Sequence, residues 1–221
     1  MERKYRAPFK SKPKQNAKKP EFYLMFTGII ESTGRVKGVK ETGTNKTFWI
    51  ESSLSSLFKI DQSIAHDGVC LTVEEVQDGS HRVTAILETL EKTALHQWSE
   101  GKQINLEQCL LPTSRLDGHF VQGHVDTTGI CEKIKNRDGS YELTFSFAKK
   151  FAPLVIEKGS ICINGISLTL FEVKKDSFSV AIIPYTWENT NLKFLKKGDK
   201  VNLEFDMIGK YIQRMNQLNK D

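Results

Sequence analysis

An internal repeat constrains this chain more than any other feature of its sequence. A shift of 97 residues lays Ser63–Val73 (SIAHDGVCLTV) over Ser160–Leu170 (SICINGISLTL). The same shift lays Thr89–Leu95 (TLEKTAL) over Thr186–Leu192 (TWENTNL), and Gly101–Glu107 (GKQINLE) over Gly198–Glu204 (GDKVNLE). Across positions 63 to 107, 18 of the 45 residues are identical to their partners. Upstream the shift becomes 95, where Gly28–Gly34 (GIIESTG) meets Gly123–Gly129 (GHVDTTG). A fixed period of this length means one structural unit built twice, so the fold must satisfy the same pattern in both halves.

Each unit reads as strands. Thr47–Glu51 (TFWIE), Val69–Val73 (VCLTV) and Tyr141–Phe147 (YELTFSF) alternate apolar and polar residues and favour β-branched and aromatic types. Asp78-Gly79 and Asp138-Gly139 stand between such runs and predict hairpins. Six or so short strands per half bury one face without exposed edges when they close into a small barrel. The expectation is an all-β protein: two tandem homologous six-stranded Greek-key β-barrels, followed by a C-terminal α-helix. Ile208, Tyr211, Ile212, Met215 and Leu218 recur at helical spacing and form one apolar stripe, which must pack on its own domain or on another subunit. The expected boundaries are a disordered basic tail over 1–24, barrels over 25–119 and 120–206, and an oligomerisation helix over 207–221.

Charge narrows the partners. The net +5 of the 221 residues divides unevenly, because residues 1–24 carry eight Lys or Arg against two Glu, and the remainder carries 24 basic against 25 acidic side chains. A neutral body lacks the clustered basic face that phosphate-backbone binding needs. No apolar run reaches the length of a membrane span, and no apolar signal core follows the basic start, so an intracellular, cytoplasmic protein is expected. Cys70, Cys109, Cys131 and Cys162 form no CxxC pair, which removes zinc-knuckle and thioredoxin motifs and leaves most of them as small core hydrophobes.

Five motifs in order carry a family resemblance: Met25–Glu31 (MFTGIIE), Ser63–Val73, Gly118–Asp126 (GHFVQGHVD), Asn164–Thr169 (NGISLT) and Glu204–Lys210 (EFDMIGK). Together, from Met25 to about Met215, they resemble the riboflavin synthase family. The resemblance implies a transferase that dismutates two molecules of 6,7-dimethyl-8-ribityllumazine. A four-carbon unit passes between them, giving riboflavin and 5-amino-6-ribitylaminouracil without an external cofactor. It implies a homotrimer in which each barrel binds one lumazine and a site forms between the first barrel of one subunit and the second barrel of its neighbour. It leaves open an association with a lumazine synthase. Two related pockets make physical sense for two identical reactants, since they convert an encounter into an oriented pair.

The resemblance marks Cys70, Ser63, Ser167 and Thr169 as reactive pocket residues and Asp206 as a functional carboxylate. The halves differ where chemistry would need them to: Cys70 stands opposite Ser167, and His124 stands opposite Ile29. An imidazole suits removal of a proton from the acidic 7-methyl group of a lumazine, which makes His124 the candidate base. The first ring is expected to rest on Gly28, Ile29 and Ile30, on Cys70, Leu71 and Thr72, and on Thr84, Ala85, Ile86, Leu87, Glu88 and Thr89. The second is expected to rest on Gly123, His124 and Val125, on Lys158, on Ser167, Leu168 and Thr169, and on Ala181, Ile182, Ile183, Pro184, Tyr185 and Thr186. His119 and His124, five apart on extended chain, face opposite ways and make a poor metal pair. His66, His81 and His96 are read as solvated residues of loops or helix-like turns.

Overall fold

The computed structural model describes residues 25–219; the basic tail lies outside them, as do the last two residues. In the first half the strands are β1 (Ser32–Thr42), β2 (Asn45–Glu51), β3 (Ser63–His66), β4 (Val69–Thr72), β5 (Glu75–Gln77), β6 (Ser80–Ala85) and β7 (Gln103–Gln108), with a short helix α1 (Leu87–Lys92). In the second they are β8 (Thr127–Asn136), β9 (Tyr141–Ser146), β10 (Ser160–Ile163), β11 (Ile166–Phe171), β12 (Ser177–Ile182) and β13 (Lys200–Phe205), with α2 (Pro184–Asn189) and the final helix α3 (Met207–Leu218). Among the described residues no helix is long and apolar enough to cross a membrane.

The second half closes as a six-stranded barrel, β10-β11-β12-β9-β8-β13. The first half uses the same frame with one strand in two pieces, so its order is β4-β3-β7-β1-β2-β6-β5 and the consecutive β4 and β5 stand at the two ends. The bend at Val73-Glu74 completes the ring in place of a continuous strand such as β11. Both predicted hairpins form: Asp78 and Gly79 join β5 to β6, Asp138 and Gly139 join β8 to β9, and all four residues have positive φ, as turns matched to strand twist require. Alternation puts Phe48, Ile50, Val83, Ile104 and Leu106 inside the first barrel, and Phe145, Phe178, Val180, Leu203 and Phe205 inside the second.

The segments that lead into β1 and β8 tie the halves together. Phe26 and Val121 pair as an antiparallel bridge through two backbone hydrogen bonds of 2.7 and 3.1 Å. From there each segment crosses: Ile30 packs on the core of the second barrel, and Val125 packs on the core of the first. Behind this bridge lies a buried polar seam. Asn105 N–H donates to Asp67 Oδ1 at 2.7 Å, and Asn202 N–H donates to Asn164 Oδ1 at 2.8 Å. The Asn105 amide reaches the Asn164 carbonyl, and the Asn202 amide reaches the Asp67 carbonyl, both at 2.9 Å. Repeated residues thus form a contact with near twofold symmetry, in which every buried amide finds a partner.

Candidate functional site

The tight turns at Asp67-Gly68 and Asn164-Gly165 fold β3 against β4 and β10 against β11. Cys70 thereby stands opposite Ala65 and Thr72 opposite Ser63, while Ser167 stands opposite Cys162 and Thr169 opposite Ser160. Thr72 and Thr169 are exposed, Cys70 and Ser167 are half-buried, and Ser63 is buried. Ile86, Leu87 and Glu88 after β6, and Ile183, Pro184 and Tyr185 after β12, form exposed rims beside these strands. Leu71, Ala85 and Ile182 point into the barrel cores, so only their backbones can meet a ligand.

One sequence expectation is overturned by the crossing. Gly28 to Ile30 was grouped with Cys70 to Thr72, and Gly123 to Val125 with Ser167 to Thr169. The structure exchanges the two: Ser167 N–H donates to the Gly28 carbonyl at 2.8 Å, and Cys70 N–H donates to the Gly123 carbonyl at 2.9 Å. Each lead-in segment is fastened to its own half by a buried glutamate and lays its outer edge on the other half. Glu107 accepts from Thr27 N–H at 2.6 Å, Thr27 O–H at 2.7 Å and Gly28 N–H at 3.0 Å; Glu204 accepts from the N–H groups of Gln122 and His124 at 2.7 and 2.9 Å. Burial pushes Glu107 up to about 7 and raises Glu204, against the pull of these donors. The fit needs glycine: a Cβ on Gly28 would lie 2.6 Å from the Ser167 Cβ, and one on Gly123 would lie 2.6 Å from the Cys70 Cβ, with φ of +79° and +78°.

Two unlike faces result. On the first barrel, exposed His124 sits between Gly123, which meets Cys70, and Val125, which packs on that core. The Cys70 thiol is not primed as a thiolate, because burial raises it, a hydrogen bond with Ser63 lowers it, and the charge of Glu204 raises it further. Cys109 follows β7 nearby, donates to the Ser63 carbonyl at 2.9 Å, and is pushed up to about 12, chiefly by burial. Thr84 on β6 shares a 2.9 Å hydroxyl contact with Thr47.

Beside Ser167 of the second barrel stands a residue that the sequence reading weighed only as half of a poor metal pair. His119 Nδ1 lies 2.6 Å from Ser167 Oγ, and the imidazole is kept neutral by burial while Asp206 pulls the other way. Gly118 permits this approach, since a Cβ there would press on the Thr27 carbonyl and on Ser167. The only sequence signal for His119 was its place in the Gly118–Asp126 motif. Asp206 also has structural work: its Oδ1 accepts from Ile208 N–H at 2.9 Å and caps α3. Lys158 is exposed in a left-handed turn, with φ of 62°. A recess of about 680 Å³ beneath α3 is lined by Ser160, Asp206, Leu154, Ile208 and Ile212, apart from Cys70 and His124. Among the described residues no group of three His, Cys, Asp or Glu side chains is placed to hold a metal ion.

The chain matches the family model described as the lumazine binding domain twice, over residues 27–109 and 122–206. It is 36% identical to riboflavin synthase of Bacillus amyloliquefaciens over 86% of this chain and 89% of that protein. It is 37% identical to riboflavin synthase of Mycobacterium bovis over 86% of this chain and 98% of that protein. Among solved structures, LumP complexed with riboflavin superposes with a TM-score of 0.77 at 20% identity, covering 82% of this chain and 99% of that one. LumP complexed with 6,7-dimethyl-8-(1'-D-ribityl) lumazine gives 0.75 at the same identity and coverage. Two matches to one domain, on a duplicated frame that aligns over most of its length with riboflavin synthases, place this chain in the riboflavin synthase family.

Proposed function

We propose that the chain is a transferase that dismutates two molecules of 6,7-dimethyl-8-ribityllumazine into riboflavin and 5-amino-6-ribitylaminouracil. The observation that carries this reading is the unlikeness of two equivalent places: Cys70 with His124 on one barrel, Ser167 with His119 and Ile29 on the other. Two identical molecules that leave as different products need one partner to give a four-carbon unit and the other to take it. Carbon lost by one is gained by the other, so the exchange balances without an external oxidant or reductant.

In this mechanism His124, open to solvent, takes the proton from the 7-methyl group of the lumazine on the first face. The Cys70 thiol, held protonated by its burial, offers a hydrogen bond to the ring beside it. On the second face His119 fixes the Ser167 hydroxyl toward the other lumazine, and Thr169 adds an exposed hydroxyl on the same strand. Ser63 and Asp206 act from behind, one through Cys70 and the other as the cap that sets α3 and the charge beside His119. The rims at Ile86, Leu87, Ile183 and Tyr185 remain open in a single chain. Their cover is the opposite barrel of a neighbouring subunit in a homotrimer, working in the cytoplasm with units over 25–119 and 120–206. Closing two apolar rims on one another aligns the two rings and excludes water.

Mixing the purified chain with the lumazine tests the reading. Riboflavin and the aminouracil should appear in equal amounts. The fold likeness to LumP complexes favours a second reading, a protein that binds lumazine or flavin without turning it over. Tight binding with unchanged lumazine would support that one and overturn the enzyme.

A further inference from the structure

The first barrel carries a polar chain through its core that the second lacks. His66 on β3 and His81 on β6, both read from sequence as solvated, are each 0% exposed. Their Nε2 atoms lie 2.8 Å apart; His66 Nδ1 lies 2.9 Å from the Ile64 carbonyl, and His81 Nδ1 lies 2.8 Å from Ser55 Oγ. A carbonyl only accepts, so His66 carries its proton on Nδ1 and its Nε2 is bare. His81 must then donate from Nε2 to His66, which leaves His81 Nδ1 to accept from Ser55 O–H at 2.8 Å, in preference to the Ile50 carbonyl 3.3 Å from the same hydroxyl. One tautomer of each ring satisfies the whole chain, and both rings are neutral.

A proton added to this chain has no counter-charge. The neighbouring acids are engaged elsewhere: Asp67 with Asn105 and Asn191, Glu51 with Arg35 and Lys37, Glu75 with Arg82, and Glu107 with Thr27 and Gly28. Glu74 also pairs with Arg82, Lys46 pairs with Glu41, and Lys59 and Asp61 are exposed on the loop after Ser55. The Cys70 thiol is raised chiefly by burial and supplies no counter-charge. Phe58 meets His81 edge-on, with ring centroids 4.9 Å apart, and offers no charge. Burial accordingly holds His66 well below its ordinary value and His81 down to about 4.

The repeat supplies an internal control. Ile163 occupies the place of His66, since each pairs across its turn with the first residue of the next strand. Phe178 occupies the place of His81, each lying opposite the matching core residue of β2 or β9. Ala152 occupies the place of Ser55: each closes its 3-10 turn by accepting from the residue three further on. The same frame is thus built once with a titratable core and once with an apolar one.

We propose that the His66–His81–Ser55 chain makes the first barrel an acid-released element, so that protonating the imidazoles opens the half that carries Cys70 while the second barrel stays folded. The unfolded rings gain protons near their ordinary value of about 6.5 and the buried ones do not, so the stability these rings contribute is lost as pH falls below that point. Each imidazole shifts the open-to-closed ratio by up to about tenfold per pH unit.

Amide hydrogen exchange on the full chain tests this, with protection factors for peptides covering residues 63–85 and 160–182 compared at about pH 7 and about pH 5. Asp67 and Glu107, held up to about 7, gain stability over the same range and offset the imidazoles, so the readout is the difference from the variant Ser55→Ala, His66→Ile, His81→Phe, which keeps both acids and transplants the set from the second barrel. Between the two pH values, protection of the first set should fall by tenfold or more relative to that variant, and protection of the second set should change equally in both. An equal change of the first set in both proteins overturns the proposal. Should the variant fail to fold, nitrogen NMR of the natural chain decides. His66 and His81 must stay neutral in the assigned tautomers while the first barrel is protected, and ordinary titration within a protected barrel rejects the idea.

Discussion

On the proposed reading Cys70, His124, His119 and Ser167 form the reactive set, and the states of Cys70 and His119 are set by burial among residues far along the chain. A thiol raised by burial gains nothing from ionisation at neutral pH, so a hydroxyl can replace it as a donor. Cys70→Ser should therefore lower kcat by less than about tenfold, against the roughly 10² to 10⁴ expected for His124→Gln as loss of a general base. Single-turnover conversion with a binding titration measures both, and a Cys70→Ser loss as deep as that of His124→Gln would show that the thiolate is used. Because His119 and Ser167 act through one 2.6 Å contact, His119→Ala and Ser167→Ala should each lower turnover, and the double variant should be no worse than the poorer single. Fully additive losses would show two independent roles.

Elements take their positions from close contacts that tolerate few atoms. The lead-in segment at Gly28 has positive φ and no room for a Cβ against Ser167, whereas Gly38 on β1 has open space around it. Gly28→Ala should lower the urea midpoint by an amount worth more than about 1 kcal/mol, and Gly38→Ala should be near neutral. Matching midpoints would mean that the crossing is loose. Helix α3 leaves Tyr211 66% and Met215 64% exposed, along with Ile208, Ile212 and Leu218, and it is held to the body by the Asp206 cap and the 2.7 Å pair of Lys210 with Asp126. In the proposed homotrimer, a contiguous apolar stripe of this kind is the expected surface for association. Chains ending at Asp206 should elute as a smaller species than the full chain on a sizing column; an unchanged elution would assign assembly to the barrels.

In the whole molecule, the two halves meet through a seam whose symmetry breaks at Ala94 against Asn191 and at one buried acid. Asp67 stands where the second half has Asn164, and burial holds its carboxyl up to about 7. An acid raised above its unfolded value keeps a proton in the folded state that the unfolded chain releases, so the contribution of Asp67 to stability falls as pH rises from about 4 to about 7 and is flat beyond, opposite in sign to that of His66 and His81. Asp67→Asn preserves the Oδ1 that accepts from Asn105 and Asn191 and removes this slope, worth up to about 1.4 kcal/mol per pH unit. Urea unfolding of both proteins at several pH values measures it, and parallel profiles would show that Asp67 is ionised throughout.

Local information sufficed for the repeat, the alternating strands, both Asp-Gly hairpins, the terminal helix and the motifs that place Cys70, His124 and Ser167, because period-2 patterning and turn chemistry act between near neighbours. The split of β4 from β5 was not legible, nor was the neutral state of the Cys70 thiol, since each depends on closure of the whole ring. His66 and His81 were misread as solvated: nothing in a short window distinguishes a histidine on a rim from one facing another across a barrel. The bond from His119 to Ser167 spans 48 residues, and the exchange of lead-in segments joins each half to the site strand of the other. A duplicated sequence specifies two equal frames. Only the packing of one frame on the other decided which segment crosses, which polar groups lose water, and which side chains of unlike chemistry come to share a face.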